Sequence, residues 1–244
     1  MSVFRADPEW PVTWSRGGRR APRLAAVLLV IGVIAWWQLA EWPGEPREEG
    51  RTAGDWEQDL SDSVPEVRAR AAGVLARLGS RGEPGLLRAL RDPSPAVRIA
   101  AARALGRASR AGTRSVETLL SSLRDDPQTD VRVSVAEALA RIGGDRPEVV
   151  SGLMLTLGDP HPDVRASAAL GLGQLGAASS AAVPSLAGLL ADPWASVRIS
   201  AILALSQIGP DARDAVPALR ARLGDPRPAV RLLADQALLA IEDP

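Results

Sequence analysis

Residues 92–106 read DPSPAVRIAAARALG, and variants of this stretch recur along the chain. The pair Val-Arg returns at intervals of 30–34 residues, with an Asp six residues before each Arg and a Leu seven residues after it. The six arginines are Arg68, Arg98, Arg132, Arg165, Arg198 and Arg231. A fixed period of this length is typical of proteins in which each copy forms one supersecondary unit. The sequence therefore predicts six consecutive repeats over residues 55–244.

Each repeat predicts two helices joined by a turn. The second helix is the clearer one, because the segment after Pro95 is rich in Ala and has apolar residues at helical spacing. The first helix is carried by segments such as AVPSLAGLL at residues 182–190, and Asp-Pro makes the turn between the two. Glycines are expected to end the second helices: Gly79, Gly143, Gly176 and Gly209. The predicted fold class is all-α, a solenoid in which neighbouring repeats bury one another's apolar faces.

The pattern D-P-x-x-x-V-R-x-x-A-x-x-A-L-G resembles HEAT repeats, in particular the short type similar to those of phycobilisome-lyase-type proteins. Ankyrin repeats have a similar period but need a Thr-Pro-Leu-His segment, which is absent here. Tetratricopeptide repeats need aromatic positions, and this region has no Tyr or Phe. The resemblance covers residues 55–243. It implies a right-handed α-solenoid whose second helices line the concave surface, where partners usually bind. It assigns no catalytic residues to this chain.

The recurring Asp and Arg residues have two interpretations. One is a row of ligand-binding groups. The other, which we favour because the resemblance implies it, is a ladder of hydrogen bonds between turns of adjacent repeats. Such a ladder would satisfy helix-end groups that stacking would otherwise bury unpaired. On this interpretation, Asp192→Ala or Arg198→Ala should lower stability by about 1–3 kcal/mol rather than abolish a specific activity.

Residues two, five, nine and twelve after each ladder Arg share one helical face, which we assign to the concave wall. This face is basic in the first two repeats, carries Ser134, Glu137 and Arg141 in the third, and is neutral and partly apolar further along. The hypothesis is a groove that binds a protein partner, with its basic part facing an acidic one. The alternative is an ordinary solvated face, because Arg is the only cationic residue type in the chain apart from one His. The candidate partner-binding residues are Arg77, Arg103, Arg107, Arg141, Leu170, Gln174, Leu203, Gln207 and, in a turn, Trp194.

Three expectations concern single side chains. Trp194 is a candidate interface anchor, although its ring could equally pack on the adjacent turn. Trp56 is expected to cover the open end of the first repeat. Asp235 places a charge where earlier repeats are apolar, which predicts a polar cap on the last repeat.

The N-terminal part of the chain predicts a membrane anchor. Residues 24–40 read LAAVLLVIGVIAWWQLA, which as a helix would span roughly 26 Å, and Trp residues cluster at the end of this stretch. We predict a cytosolic basic tail at 1–23, a transmembrane helix at 24–42 and a linker at 43–54. Arginines precede the span and glutamates follow it, so the positive-inside rule places the solenoid outside the cytoplasm, at a bacterial inner membrane. The alternatives are a cleaved signal peptide, a buried soluble helix and the reversed orientation.

Composition excludes several function classes. The chain has no Cys and no Lys and has one His, so it lacks disulfides, thiolate nucleophiles, Schiff-base lysines and multi-histidine metal sites. The formal net charge is zero, which argues against a general nucleic-acid binder. We expect no catalytic residues, metal, cofactor or small-molecule substrate.

The function predicted from the sequence is a membrane-anchored scaffold that binds a protein partner on the concave face of a HEAT-repeat solenoid. Two alternatives stay open. One is a lyase-type or other enzyme built on HEAT-like repeats, and the other is a tethered adaptor that faces the cytoplasm.

Overall fold

The computed structural model describes residues 47–107, 112–144 and 146–242. Within these ranges the chain forms twelve α-helices and no β-strand. The helices are α1 Ala53–Asp59, α2 Pro65–Leu75, α3 Glu83–Ala89, α4 Pro95–Arg107, α5 Thr113–Asp125, α6 Thr129–Gly143, α7 Pro147–Thr156, α8 Pro162–Gln174, α9 Val183–Leu189, α10 Ala195–Ile208, α11 Val216–Ala221 and α12 Pro228–Glu242. The predicted all-α class is confirmed.

The twelve helices form six consecutive pairs. Each odd-numbered helix packs against the even-numbered helix that follows it, and each even-numbered helix packs extensively against the next even-numbered one. Successive odd-numbered helices contact one another much less. This arrangement is the predicted α-solenoid, in which each repeat contacts only its neighbours.

Proline and glycine residues set the helix boundaries. Proline occupies the first turn of α2 and α8, where the missing N–H costs no hydrogen bond. Three of the four predicted glycine stops adopt positive φ, at Gly79, Gly176 and Gly209. At the fourth position the helix ends at Gly143 as predicted, and the next residue, Gly144, adopts the positive φ. Leu175 and Val149 pack so closely against Gly143 that a Cβ there would lie 2.9–3.0 Å from their side chains.

The core is a layer of Leu and Ala side chains between the odd-numbered and even-numbered helices. The leucines seven residues after the ladder arginines are fully buried in the first five repeats: Leu75, Leu105, Leu139, Leu172 and Leu205. Small residues allow the even-numbered helices to approach each other. A Cβ placed on Gly106 of α4 would lie 2.8 Å from the Cα of Ala138 in α6, so this position requires glycine.

The predicted location in a membrane needs correction. The predicted tail at 1–23 and span at 24–42 lie outside the described residues. In the part of the chain that the structure describes, no helix is long and apolar enough to cross a bilayer. The longest helices there, α6 and α12, have 15 residues each, about 22 Å against a hydrocarbon core of about 30 Å. The predicted bacterial inner-membrane location is therefore not supported, and the function proposed below includes no anchor.

Candidate functional site

The even-numbered helices present one continuous face, on the side turned away from the odd-numbered helices. We call it the even-helix face, and it is the face assigned above to the concave wall. At the position nine residues after the ladder Arg, the first five repeats each carry an exposed side chain: Arg77, Arg107, Arg141, Gln174 and Gln207. The even-numbered helices pack extensively against one another along this layer.

Two arginines near the start of this face carry unpaired charge. Arg103 and Arg107 of α4 are exposed, and neither forms an ion pair among the described residues. Arg141 of α6 lies within 3.9 Å of Glu137 one turn earlier, where both side chains are about half exposed. An exposed pair of this kind contributes little energy, so it leaves the face open to another anion.

The residues just before α1 already bind the basic end of this face. The Glu48 carboxylate accepts a hydrogen bond from Nε of Arg77 at 2.5 Å, and the Glu49 carboxylate accepts one from Nη2 of Arg70 at 2.9 Å. Of the nine candidates, Arg77 is thus not free but neutralised within the chain. The predicted linker at 43–54 is described from residue 47 onward, and its last residues pack against the first repeat.

Further along, the even-helix face becomes neutral and partly apolar. Leu170 is half buried and, with Arg141 and Gln174, lines a cavity of about 150 Å³ between α6 and α8. Leu203 of α10 is likewise half buried. The amide of Gln207 reaches across to α8, where its Oε1 lies so close to Gly173 that a Cβ there would clash with it.

Trp194 does not lie on the even-helix face. It is the residue before α10, in the turn that joins α9 to α10, and 58 % of its surface is exposed. Its backbone N–H donates to the Asp192 carboxylate, so the turn is held while the indole stays in solvent. The structure thus brings eight of the nine candidate residues to one face and places Trp194 on the edge formed by the turns. Their role in binding a partner stays a prediction.

The repeated Asp and Arg residues form the predicted ladder. In each pair the arginine Nε and Nη2 donate to the two carboxylate oxygens of the next repeat's Asp, at 2.7–2.9 Å and 2.9–3.1 Å. The five pairs are Arg68–Asp92, Arg98–Asp126, Arg132–Asp159, Arg165–Asp192 and Arg198–Asp225. Nη1 of each arginine donates to the carbonyl oxygen of its own turn's Asp, for example Arg98 to Asp92 at 2.8 Å. The ladder is therefore structural, as favoured above.

The environment of the ladder carboxylates favours their charged form. The hydrogen bonds from Arg198 lower the pKa of Asp225 and outweigh the opposing effect of burial. Burial would by itself raise the pKa of Asp92, but the hydrogen bonds from Arg68 and the Ser94 N–H reverse the shift and lower it. Both carboxylates are consequently held as anions that bind the preceding repeat.

Sequence reasoning missed one surface feature, an apolar groove between α5 and α7. Leu120, Leu123 and Leu155 line this cavity of about 580 Å³, and Leu155 is 83 % exposed. The available signal was the position of Leu155, four residues before a ladder Asp. The other five repeats carry smaller or polar residues there: Gln58, Arg88, Ser122, Gly188 and Ala221. Among the described residues, no cluster of His, Asp or Glu could hold a metal ion.

Comparisons with family models agree with this geometry. A model described as HEAT repeats matches residues 55–140 and 116–206. A second, described as PBS lyase HEAT-like repeat, matches residues 197–225. A comparison with curated proteins found no match.

Solved structures share the fold at low sequence identity. YIBA of Escherichia coli is 20 % identical over 93 % of this chain and 77 % of its own, with a TM-score of 0.62. An engineered protein is 20 % identical over 80 % of this chain and 100 % of its own, with a TM-score of 0.59. A designed armadillo repeat protein in complex with the peptide (KR)4 is 18 % identical over 78 % and 100 %, with a TM-score of 0.56. Identities this low indicate a common architecture and no more.

Proposed function

The chain belongs to the HEAT-repeat family, and on this premise we propose that it is a protein-interaction scaffold that binds an acidic segment of a partner along the even-helix face. A solenoid of this kind offers a long, rigid surface and needs little rearrangement to bind an extended segment. The proposed role is binding, without a catalytic step.

One observation favours an acidic partner. On this face, carboxylates of the chain bind the arginines of the first repeat, whereas no carboxylate among the described residues binds those of the second. In the first repeat, Glu48 and Glu49 pair with Arg77 and Arg70. In the second repeat, Arg103 and Arg107 stand at the corresponding end of α4 with no such partner among the described residues. The pairing of the two glutamates within the chain therefore indicates that the second repeat would bind carboxylates of a partner.

The neutral part of the face would bind the rest of the same segment. Leu170 and Leu203 supply half-buried apolar surface, and the exposed amides of Gln174 and Gln207 can donate to and accept from a peptide backbone. A fitting segment thus carries carboxylates at one end and apolar residues at the other. The designed armadillo repeat protein of similar fold is in complex with a basic peptide; here the exposed arginines favour the opposite charge.

Peptide binding to the full chain tests this proposal. The probe is a fluorescein-labelled octapeptide of alternating Asp and Glu, and fluorescence anisotropy measures its dissociation constant at low and at physiological salt. We expect binding that weakens as ionic strength rises, because exposed charges are screened. The double variant Arg103→Glu/Arg107→Glu should weaken binding at least about tenfold.

A matched variant separates this site from general charge. Arg81 and Arg213 are exposed and form no ion pair among the described residues, so Arg81→Glu/Arg213→Glu changes the net charge equally. This control should bind the acidic peptide nearly as well as the unaltered chain. Equal binding by the Arg103/Arg107 variant, or tighter binding of (KR)4 than of the acidic peptide, would contradict the proposal.

A further inference from the structure

The last repeat exposes apolar side chains on the side where a seventh repeat would stack. Leu223 is 42 % exposed, Leu232 59 % and Leu239 61 %. At the position of Leu223, the four preceding repeats bury their leucines to between 2 % and 5 % exposure: Leu90, Leu123, Leu157 and Leu190. We call Leu223, Arg231, Leu232 and Leu239 the C-terminal face. Exposed leucines gathered on one surface mark an interaction site more often than scattered ones do.

Arg231, on the same face, makes only some of the hydrogen bonds of a ladder arginine. Its Nη1 donates to the carbonyl oxygens of Asp225 at 2.8 Å and Pro226 at 3.4 Å, as the other ladder arginines do in their own turns. Its Nε and Nη2 have no acceptor among the described residues, although the five preceding arginines each use these two atoms to bind an Asp. The guanidinium is thus oriented for a carboxylate that the described residues do not supply.

The first repeat carries the complementary acidic group, Asp62. Asp62 accepts the Val64 N–H at 2.7 Å, which is the turn hydrogen bond of every ladder Asp, but no arginine among the described residues binds its carboxylate. Asp62 is exposed, and Val64 beside it is 45 % exposed. The contacts of residues 48–51 with the first repeat involve Asp55, Trp56, Asp59, Arg70 and Arg77 and leave the Asp62 turn open.

We propose that a second copy of this chain docks head to tail on the C-terminal face, so that Arg231 of one copy binds Asp62 of the next. The Arg231 Nε and Nη2 donate to the Asp62 carboxylate, and Leu223 and Leu232 are covered by the turn that contains Val64. The charge distribution supports this direction of docking. Residues 51–124 hold 13 Arg against eight acidic residues, and residues 125–244 hold ten against 15, so the head of one copy attracts the tail of another.

Such a contact joins different surfaces of the two copies and leaves a free head and a free tail. It therefore produces open chains, or rings where its rotation closes, rather than a dimer with two identical halves to its interface. The proposal is independent of partner binding on the even-helix face, because it uses neither Arg103 nor Arg107.

Charge exchange between the two ends provides the test. The full chain should associate with rising concentration in sedimentation velocity, and Asp62→Arg or Arg231→Asp alone should weaken this association at least about tenfold. A mixture of the two variants should associate again. In the mixture, the arginine introduced at the head of one variant meets the aspartate introduced at the tail of the other, and the two unaltered ends still fit each other. A chain that remains monomeric throughout, or a mixture that associates no better than its components, overturns the proposal.

Substitutions that leave the turns intact guard against misfolding of the charge variants. Leu232→Ser/Leu239→Ser removes exposed side chains only, so the monomer should melt as before while association is lost. Full association of this variant would overturn the proposal.

The absence of cysteine makes orientation measurable. With a short bismaleimide crosslinker, Val64→Cys mixed with Leu232→Cys should give crosslinked dimers, and each variant alone should not. Dimers from Leu232→Cys alone would mean tail-to-tail docking and would likewise overturn the proposal.

Discussion

The first and the last repeat differ in how their apolar side chains are covered. Among the described residues, each is a helix pair that packs against one other repeat, whereas the inner repeats pack against two. In the first repeat, Trp56 is only 3 % exposed, because residues 47–52 fold over it. In the last repeat, Leu232 and Leu239 are each about 60 % exposed, and the described residues provide no such cover.

The cover of the first repeat is built from polar contacts around an indole ring. The Trp56 Nε1–H donates to the Glu48 carbonyl at 3.1 Å, and the Arg51 guanidinium lies 4.2 Å from the ring centroid. Arg51 also binds Asp59 at 2.7 Å. These contacts satisfy the indole N–H and shield its face from water, as a preceding repeat would.

Stacking of repeats leaves each end of a solenoid with exposed apolar surface and with polar groups that make only part of their hydrogen bonds. The first repeat meets this demand within the chain, whereas the last repeat keeps Arg231 and its leucines available. An end that is covered adds stability, and an end that is open adds an interaction surface. Substitutions at the two ends and in the interior should therefore have very different costs.

The largest effect is expected from removing a buried ladder arginine. Arg198→Ala should lower the free energy of unfolding by about 3–5 kcal/mol, because it leaves the Asp225 carboxylate, whose side chain is 1 % exposed, charged and without its partner. This exceeds the cost expected from the sequence, since the sequence did not reveal the burial. Arg231→Ala at the end should cost about 1 kcal/mol or less. Urea denaturation of both variants checks the contrast, and equal losses would refute it.

The next largest effect is expected at the covered end. Trp56→Ala should lower the free energy of unfolding by about 3 kcal/mol, since it removes a buried ring and the contacts of Glu48 and Arg51 with it. Leu239→Ala at the open end is the matched control and should change stability by about 0.5 kcal/mol or less. Thermal melting followed by circular dichroism measures both. If the leucine variant lost as much as the tryptophan variant, the two ends would not differ as described.

The most gradual effect is expected from acid. The folded-state pKa values of Asp92 and Asp225 lie below their usual value, so their contribution is fully present above pH about 4. It should be lost as the pH falls further, through the folded-state values. Asp225→Asn should flatten this dependence relative to the unaltered chain. Unfolding free energies between pH 7 and pH 3 provide the measurement; a slope unchanged by the substitution would contradict the assignment.

Much of the fold followed from the sequence because the repeat imposes one local rule six times. The spacing of Val-Arg, Asp-Pro and Leu predicted both helices of every pair, and the burial of Leu105 and Leu139 agrees with it. Trp56, expected to cover the first repeat, is buried, and Glu48 and Arg51 contact its ring. The expectation of a polar cap at Asp235 is met only in part, because exposed leucines flank this residue on either side.

The sequence predicted which residues share the even-helix face, but not which of their charges are paired within the chain. Helical periodicity identified which residues share a surface, because that depends on neighbours three and four positions apart. It could not show that Glu48 and Glu49 bind Arg77 and Arg70, since these pairs join residues 21 and 29 positions apart. Trp194 was expected in a turn, and the structure places it there, directly before α10.

The sequence by itself determined the number of repeats, their two-helix form and the pairing of Asp with Arg, because each is encoded within one period and repeated. Only the tertiary structure decided which groups those pairs bury, which arginines remain unpaired and which end is covered. These properties depend on contacts between segments that are distant in the chain, and their free energies are set by burial and by the geometry of the partner.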